Sequence, residues 1–143
     1  MRPASRQDKD RKDEGLKSRV FIFPDLSRYD GEYREQDGVI TRHGTGIYTD
    51  KATGCVYMGQ WETDKHQGKG KMTFANGANY DGQWKEGTFH GIGIYSWPDG
   101  SSVSGEFVNN CPVGPVKYLD AQSHGWIGNS NRGTKCTLSP ELY

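Results

Sequence analysis

The sequence predicts an all-β chain, an antiparallel meander of tandem β-hairpins. Two observations carry this. Tyr57, Tyr80, Val103 and Trp126 are spaced 23 residues apart, each followed two residues later by a glycine: Gly59, Gly82, Gly105 and Gly128. Within a unit the pattern has period two, as in Tyr57, Gly59, Trp61 and again Gly68, Gly70, Met72, Phe74. That period places these residues on one face of a strand and Met58, Gln60, Glu62, Lys69, Lys71 and Thr73 on a mostly polar other face. A fixed repeat of this length marks an array of stacked units.

The units follow in order. Residues 57–79 and 80–102 share Y-x-G-x-W, then G-x-G, two large side chains two apart and a turn ending in glycine. Asn76-Gly77 and Pro98-Asp99-Gly100 are the turn signals. An earlier unit, 29–56, has the same parts in 28 residues instead of 23, and most of the excess predicts a longer hairpin loop between Tyr33 and Gly44. The unit 103–125 is worn: Val103 stands for the tyrosine and Val116 for the second glycine. A partial unit, 126–128, closes an array spanning 29–128; the tryptophan position four residues after Trp126 is Ser130. Before the array, 19–28 reads as a capping strand and linker, since Val-Phe-Ile-Phe at 20–23 suits an edge that needs protection; a partner-binding strand is the alternative. Residues 1–18 read as a charged, disordered tail and 129–143 as a C-terminal loop tail.

Glycine weakens a strand unless something uses the missing side chain. Here the glycines share a face with the rings, so a ring can lie over each gap. Tyr57, Trp61, Tyr80 and Trp84 are expected to cover glycines of adjacent strands.

The pattern Y-x-G-x-W…G-x-G…G at 23 residues resembles the MORN repeat (membrane occupation and recognition nexus), over 29–128. The resemblance implies a single-layer, elongated, twisted sheet with one aromatic-lined face, an assembly or targeting role and no chemistry of its own. It is similar to small stand-alone MORN proteins of ciliary radial spokes.

Composition agrees with a thin fold. Hydrophobic content is 32% and mean hydropathy −0.89, low for a packed globule. No apolar run approaches the roughly 20 residues of a membrane span, and no signal peptide is read at the start. Cys55, Cys111 and Cys136 are odd in number and widely spaced, which favours a reducing compartment. The formal net charge of zero divides unevenly: residues 29–125 carry eight Lys/Arg against twelve Asp/Glu, residues 1–28 eight against five.

No catalytic, metal or cofactor constellation is legible. His43 and His90 precede G-x-G glycines and read as turn residues; no histidine has a partner at metal-ligand spacing. The G-x-G pairs lack the context of a phosphate loop. Nucleic acid is disfavoured by the acidic array. The expectation is a non-enzymatic adaptor in the cytoplasm or cytoskeleton, in a cilium or flagellum axoneme, binding protein partners through Tyr29, Tyr33, Tyr57, Trp61, Tyr80, Trp84, Trp97, Phe107 and Trp126 and through its tails. Two alternatives stand beside it: a membrane or phosphoinositide targeting module, for which a net acidic array is poorly suited, and a regulatory subunit of an enzyme or motor.

Overall fold

The computed structural model describes residues 15–132 and 136–141. Among them, eleven strands follow in order: β1 (Lys17–Ile22), β2 (Arg28–Gln36), β3 (Val39–Thr49), β4 (Val56–Glu62), β5 (Lys65–Thr73), β6 (Asn79–Lys85), β7 (Thr88–Ser96), β8 (Ser102–Val108), β9 (Cys111–Leu119), β10 (Gly125–Ser130) and β11 (Cys136–Pro140). They form one open antiparallel sheet in which spatial order equals sequence order. Ten spacings of about 4.8 Å span roughly 50 Å.

Two kinds of turn recur along it, apart from a six-residue turn at 50–55 between β3 and β4, where the Asp50 amide donates to the Cys55 carbonyl and the Gly54 amide to the Asp50 carbonyl. Asp37 with Gly38, Thr63 with Asp64, Glu86 with Gly87 and Asn109 with Asn110 all have positive φ, between 48° and 82°. That is the two-residue hairpin turn whose twist matches the strands. The other kind is a five-residue turn at 23–27, 74–78, 97–101 and 120–124. In each, the first amide donates to the fifth carbonyl and the fourth amide to the first carbonyl. In the first three, the side chain of Asp25, Asn76 or Asp99 accepts the fifth amide.

Three expectations are corrected. The longer hairpin of the first unit has no longer loop: its extra residues extend the strands, pairing Arg34 with Thr41, Glu35 with Ile40 and Gln36 with Val39. Asp37-Gly38 already supplies a two-residue turn, so added residues cost less as paired strand than as loop. The tail read at 129–143 contains β11, which pairs with β10 from Trp126–Pro140 to Ser130–Cys136. The first edge begins earlier than 19, because Lys17 already pairs with Tyr33. Residues 1–14 of the charged tail lie outside the described residues, as do 133–135 and 142–143 of the C-terminal one.

Units are also joined through their hairpin turns. The amides of Asp64, Gly87 and Asn110 donate to the carbonyls of Arg42, His66 and Phe89 in the preceding unit, at 3.0–3.1 Å. The sheet is therefore tied along its turn edge as well as through its ladder.

Candidate functional site: the ring face

One register row crosses the whole sheet on the glycine face: Phe21, Tyr29, Tyr48, Tyr57, Met72, Tyr80, Tyr95, Val103, Tyr118, Trp126 and Pro140, paired in that order. Its members differ by strand. Tyr29, Tyr57 and Tyr80, on the first strand of each unit, are fully buried. Their counterparts on the second strands, Tyr48, Met72, Tyr95 and Tyr118, are half-buried.

The tyrosines are buried by a mechanism that needs no second sheet. Below each ring lie two glycines: a Cβ at Gly46, Gly70 or Gly93 would overlap the ring of Tyr29, Tyr57 or Tyr80. At its tip the hydroxyl donates to the carbonyl three residues on, of Glu32, Gln60 or Gln83, at 2.5–2.9 Å. A β-bulge between Gly59 and Trp61, and its equivalents, interrupts the ladder beside that carbonyl. At its flanks stand the tryptophans. Trp61 meets Tyr29 and Tyr57 edge-on at 5.4 and 5.1 Å; Trp84 meets Tyr57 and Tyr80 at 5.2 and 5.3 Å; Phe107 meets Tyr80 at 5.1 Å. Such pairs add about 0.5–1.5 kcal/mol each beyond area burial. The indole N–H groups of Trp61 and Trp84 donate to the carbonyls of Gly46 and Gly70 at 3.1 and 2.9 Å. The sequence expectation that rings cover glycines of adjacent strands therefore describes Tyr57 and Tyr80 closely.

A third planar group, nine residues after the tyrosine, lies flat on it. His66 stacks on Tyr57 at 3.8 Å, and Phe89 on Tyr80 at 3.9 Å. In the longer first unit the equivalent register position, opposite Tyr33 and thirteen residues after Tyr29, is Arg42, whose guanidinium sits 4.4 Å from the Trp61 ring and pairs with Asp64 at 3.0 Å. Burial, reinforced by repulsion from Arg42, pushes the His66 imidazole down to about 4, so it is neutral at physiological pH. Burial likewise pushes the Tyr29 and Tyr80 phenols up to about 12.

The worn unit is a compensated one. Val103 has no ring to lay over the second strand, and Val116, itself 5% exposed, occupies the gap with its own side chain. Val116 still lies between two glycines, Gly105 and Gly128. Ser130, where a tryptophan would stand, is buried and donates to the Pro112 carbonyl at 2.9 Å. Three sequence departures thus replace one ring assembly.

This geometry redirects the site expectation. Tyr29, Tyr33, Tyr57, Trp61, Tyr80, Trp84 and Phe107 are all at or below 9% exposure. They are the core of the array, sealed by one another, and offer a partner little surface. Trp97 is 40% exposed and Trp126 half-buried, its indole donating to Asp120 at 3.4 Å. The accessible part of the ring face is a flanking stripe, of which the sequence expectation named only Trp97. Phe23 meets Tyr48 at 6.2 Å, Tyr95 meets Trp97 at 5.1 Å, and Trp97 meets Tyr118 at 6.2 Å. A signal was present: Met72, Tyr95 and Tyr118 are also 23 apart. Beside Tyr48 the stripe opens into a recess of about 380 Å³, lined among others by Arg42, Asp50, Cys55 and Met72.

The other face is less polar than its pattern in 58–73 suggested. Ile92, Ile94 and Ile127 are 46–65% exposed and line a shallow apolar depression with Pro115 and Lys117. Among the described residues, no group of three or more His, Cys, Asp and Glu is placed to hold a metal ion.

The MORN repeat family model matches residues 57–78 and 80–102. These two repeats are β4–β5 and β6–β7, the units whose ring assembly is most complete. No curated protein matches the chain at a significant level. MORN repeats are generally non-catalytic, and they suggest a protein-interaction or membrane-association module.

Proposed function

We propose that this protein is a non-catalytic adaptor that holds an extended protein segment across the half-exposed rings of its glycine face, within a cytoskeletal assembly such as the axoneme of a cilium or flagellum. The observation that carries the reading is the stripe of Phe23, Tyr48, Tyr95, Trp97 and Tyr118. It runs across the strands, one accessible large side chain per hairpin at intervals of roughly 10 Å, with Met72 as the rung of the 57–79 hairpin. Aromatic side chains are the residue type that most often anchors a protein interface. The axonemal setting rests on the resemblance to radial-spoke MORN proteins. The array's excess of four acidic residues between 29 and 125 favours a protein over an anionic lipid surface.

Proximity labelling from the full chain in ciliated cells tests both parts. Axonemal proteins should be recovered with the wild type and lost with a Trp97→Ser, Tyr118→Ser double variant that still folds. Recovery of membrane proteins, with flotation on phosphoinositide vesicles at moderate salt, would replace this reading with the lipid one.

A further inference from the structure

The sheet opens on half a unit. Phe21 occupies the row position of Tyr48, Met72, Tyr95 and Tyr118, and the turn at 23–27 repeats the hydrogen bonds of those at 74–78 and 97–101. β1 is therefore a second strand. Every other second strand of an aromatic unit has a first strand on its far side, whereas β1 pairs only with β2 among the described residues. Among the described residues its outer edge has no neighbouring strand over six residues, and it carries no proline and no bulge.

We propose that this edge is a second binding site, which takes an acidic, apolar strand from another protein by β-augmentation. Arg19 decides the chemistry. It faces Gly31 in the register that Gly46, Gly70 and Gly93 hold against Gly59, Gly82 and Gly105. Those three must be glycine because a tyrosine from their own first strand lies over them. A long side chain at 19 blocks that tyrosine, so the incoming strand is not of the Y-x-G-x-W kind. Arg19 rests over the Phe21 ring at 5.4 Å and has no carboxylate within ion-pair distance among the described residues. Lys17, by contrast, is already bound to Glu35 at 2.8 Å. The edge strand thus carries two cations and no anion, on an array that is otherwise net acidic. On the opposite face, Val20 and Ile22 are 44% and 61% exposed.

The occupant follows by register. Every pairing in the sheet is antiparallel, so the added strand reads from Ile22 back to Lys17. It needs an apolar residue against Ile22, an aromatic against Phe21, an apolar residue against Val20 and an acidic residue against Arg19. A second copy meets this poorly, since antiparallel β1 against β1 keeps like faces together, sets Arg19 against Phe21 or against a second Arg19, and brings no carboxylate.

The test uses the full chain and a blocked, fluorescently labelled peptide, Ser-Gly-Val-Tyr-Val-Glu-Thr-Gly-Ser. Anisotropy should saturate, and hydrogen exchange should show new protection at 17–22. Arg19→Glu should weaken binding roughly tenfold, and a peptide with lysine in place of glutamate should restore it on that variant. Arg19→Ser, with an unchanged melting temperature, serves as the second variant and should lose several-fold. Trp97→Ser should leave affinity unchanged, which separates this edge from the ring stripe. The proposal fails if the wild type gives no saturation up to about 1 mM. It also fails if Arg19→Glu binds the original peptide equally, if Trp97→Ser abolishes binding, or if sedimentation shows the edge occupied by a second copy.

Discussion

The fourth unit suggests an experiment on the third. In that unit Tyr80 lies over Gly93, and a Cβ at Gly93 would stand 2.5 Å from the tyrosine Cζ and 2.6 Å from Cε2. Gly93 has ordinary extended backbone and lies between Gly82 and Gly105, as Val116 lies between Gly105 and Gly128. The three nearest obstacles to a side chain at 93 thus all belong to that ring. Gly93→Val must displace a fully buried ring that covers on the order of 150–250 Å². At about 25 cal/mol per Å² complete expulsion costs about 4–6 kcal/mol; with partial accommodation, about 3–5 kcal/mol is expected. Tyr80→Val opens a cavity and removes the hydroxyl bond to Gln83, for about 2–4 kcal/mol. If the two were independent, the double variant would lose about 5–9 kcal/mol. Because valine at 93 fills what the ring vacates, as Val116 does beside Val103, the double variant should lose only about 2–4 kcal/mol. Coupling is then about 3–5 kcal/mol, at or above the top of the range usual for contacting residues. Urea denaturation followed by tryptophan fluorescence measures this, with constant m-values as the check on cooperativity. A double variant as unstable as the sum of the singles would refute the gap-filling argument, as would a Gly93→Val single costing under about 1 kcal/mol.

Gly82→Val should be worse than Gly93→Val and should not be rescued by Tyr80→Val. Its Cβ would meet backbone, 2.6 Å from the Ile92 carbonyl oxygen, and thermal unfolding of the pair of variants decides it. Stability should be flat above about pH 7 and fall between pH 6.5 and about 4. The unfolded imidazole takes a proton there that the folded one refuses. The loss is on the order of 1–2 kcal/mol after discounting for partial solvent screening. His66→Phe, which copies Phe89, should remove that slope, and equal slopes would show that another group titrates. Trp84→Ala, at a buried ring bonded to the Gly70 carbonyl, should cost about 3–5 kcal/mol. Trp97→Ser should cost under about 1 kcal/mol while weakening partner capture. Denaturation beside binding separates the two.

Much of the fold was legible because strand geometry is local. Period two at Tyr57, Gly59 and Trp61 gives the faces, and repetition at 23 gives the strand order, since consecutive hairpins in an array have nowhere else to pair. Less of the site was legible. The same ring type is core at Tyr57 and half-exposed at Tyr48, and one strand's difference in row position is invisible in a hydropathy pattern. β11 was missed because Cys-Thr-Leu-Ser-Pro has little alternation of its own; its neighbour β10 supplies the pairing.

The amino-acid sequence by itself determined the meander, the unit length and the face on which glycines and rings meet, because these depend on spacing along the chain. Only the tertiary structure decided which rings are sealed and which stay open. Burial here is made by three residues from two units: a tyrosine, a tryptophan that wedges beside it and a planar group nine residues on. Whether a ring is covered depends on neighbours brought together by the sheet, and that is a property of the assembled array.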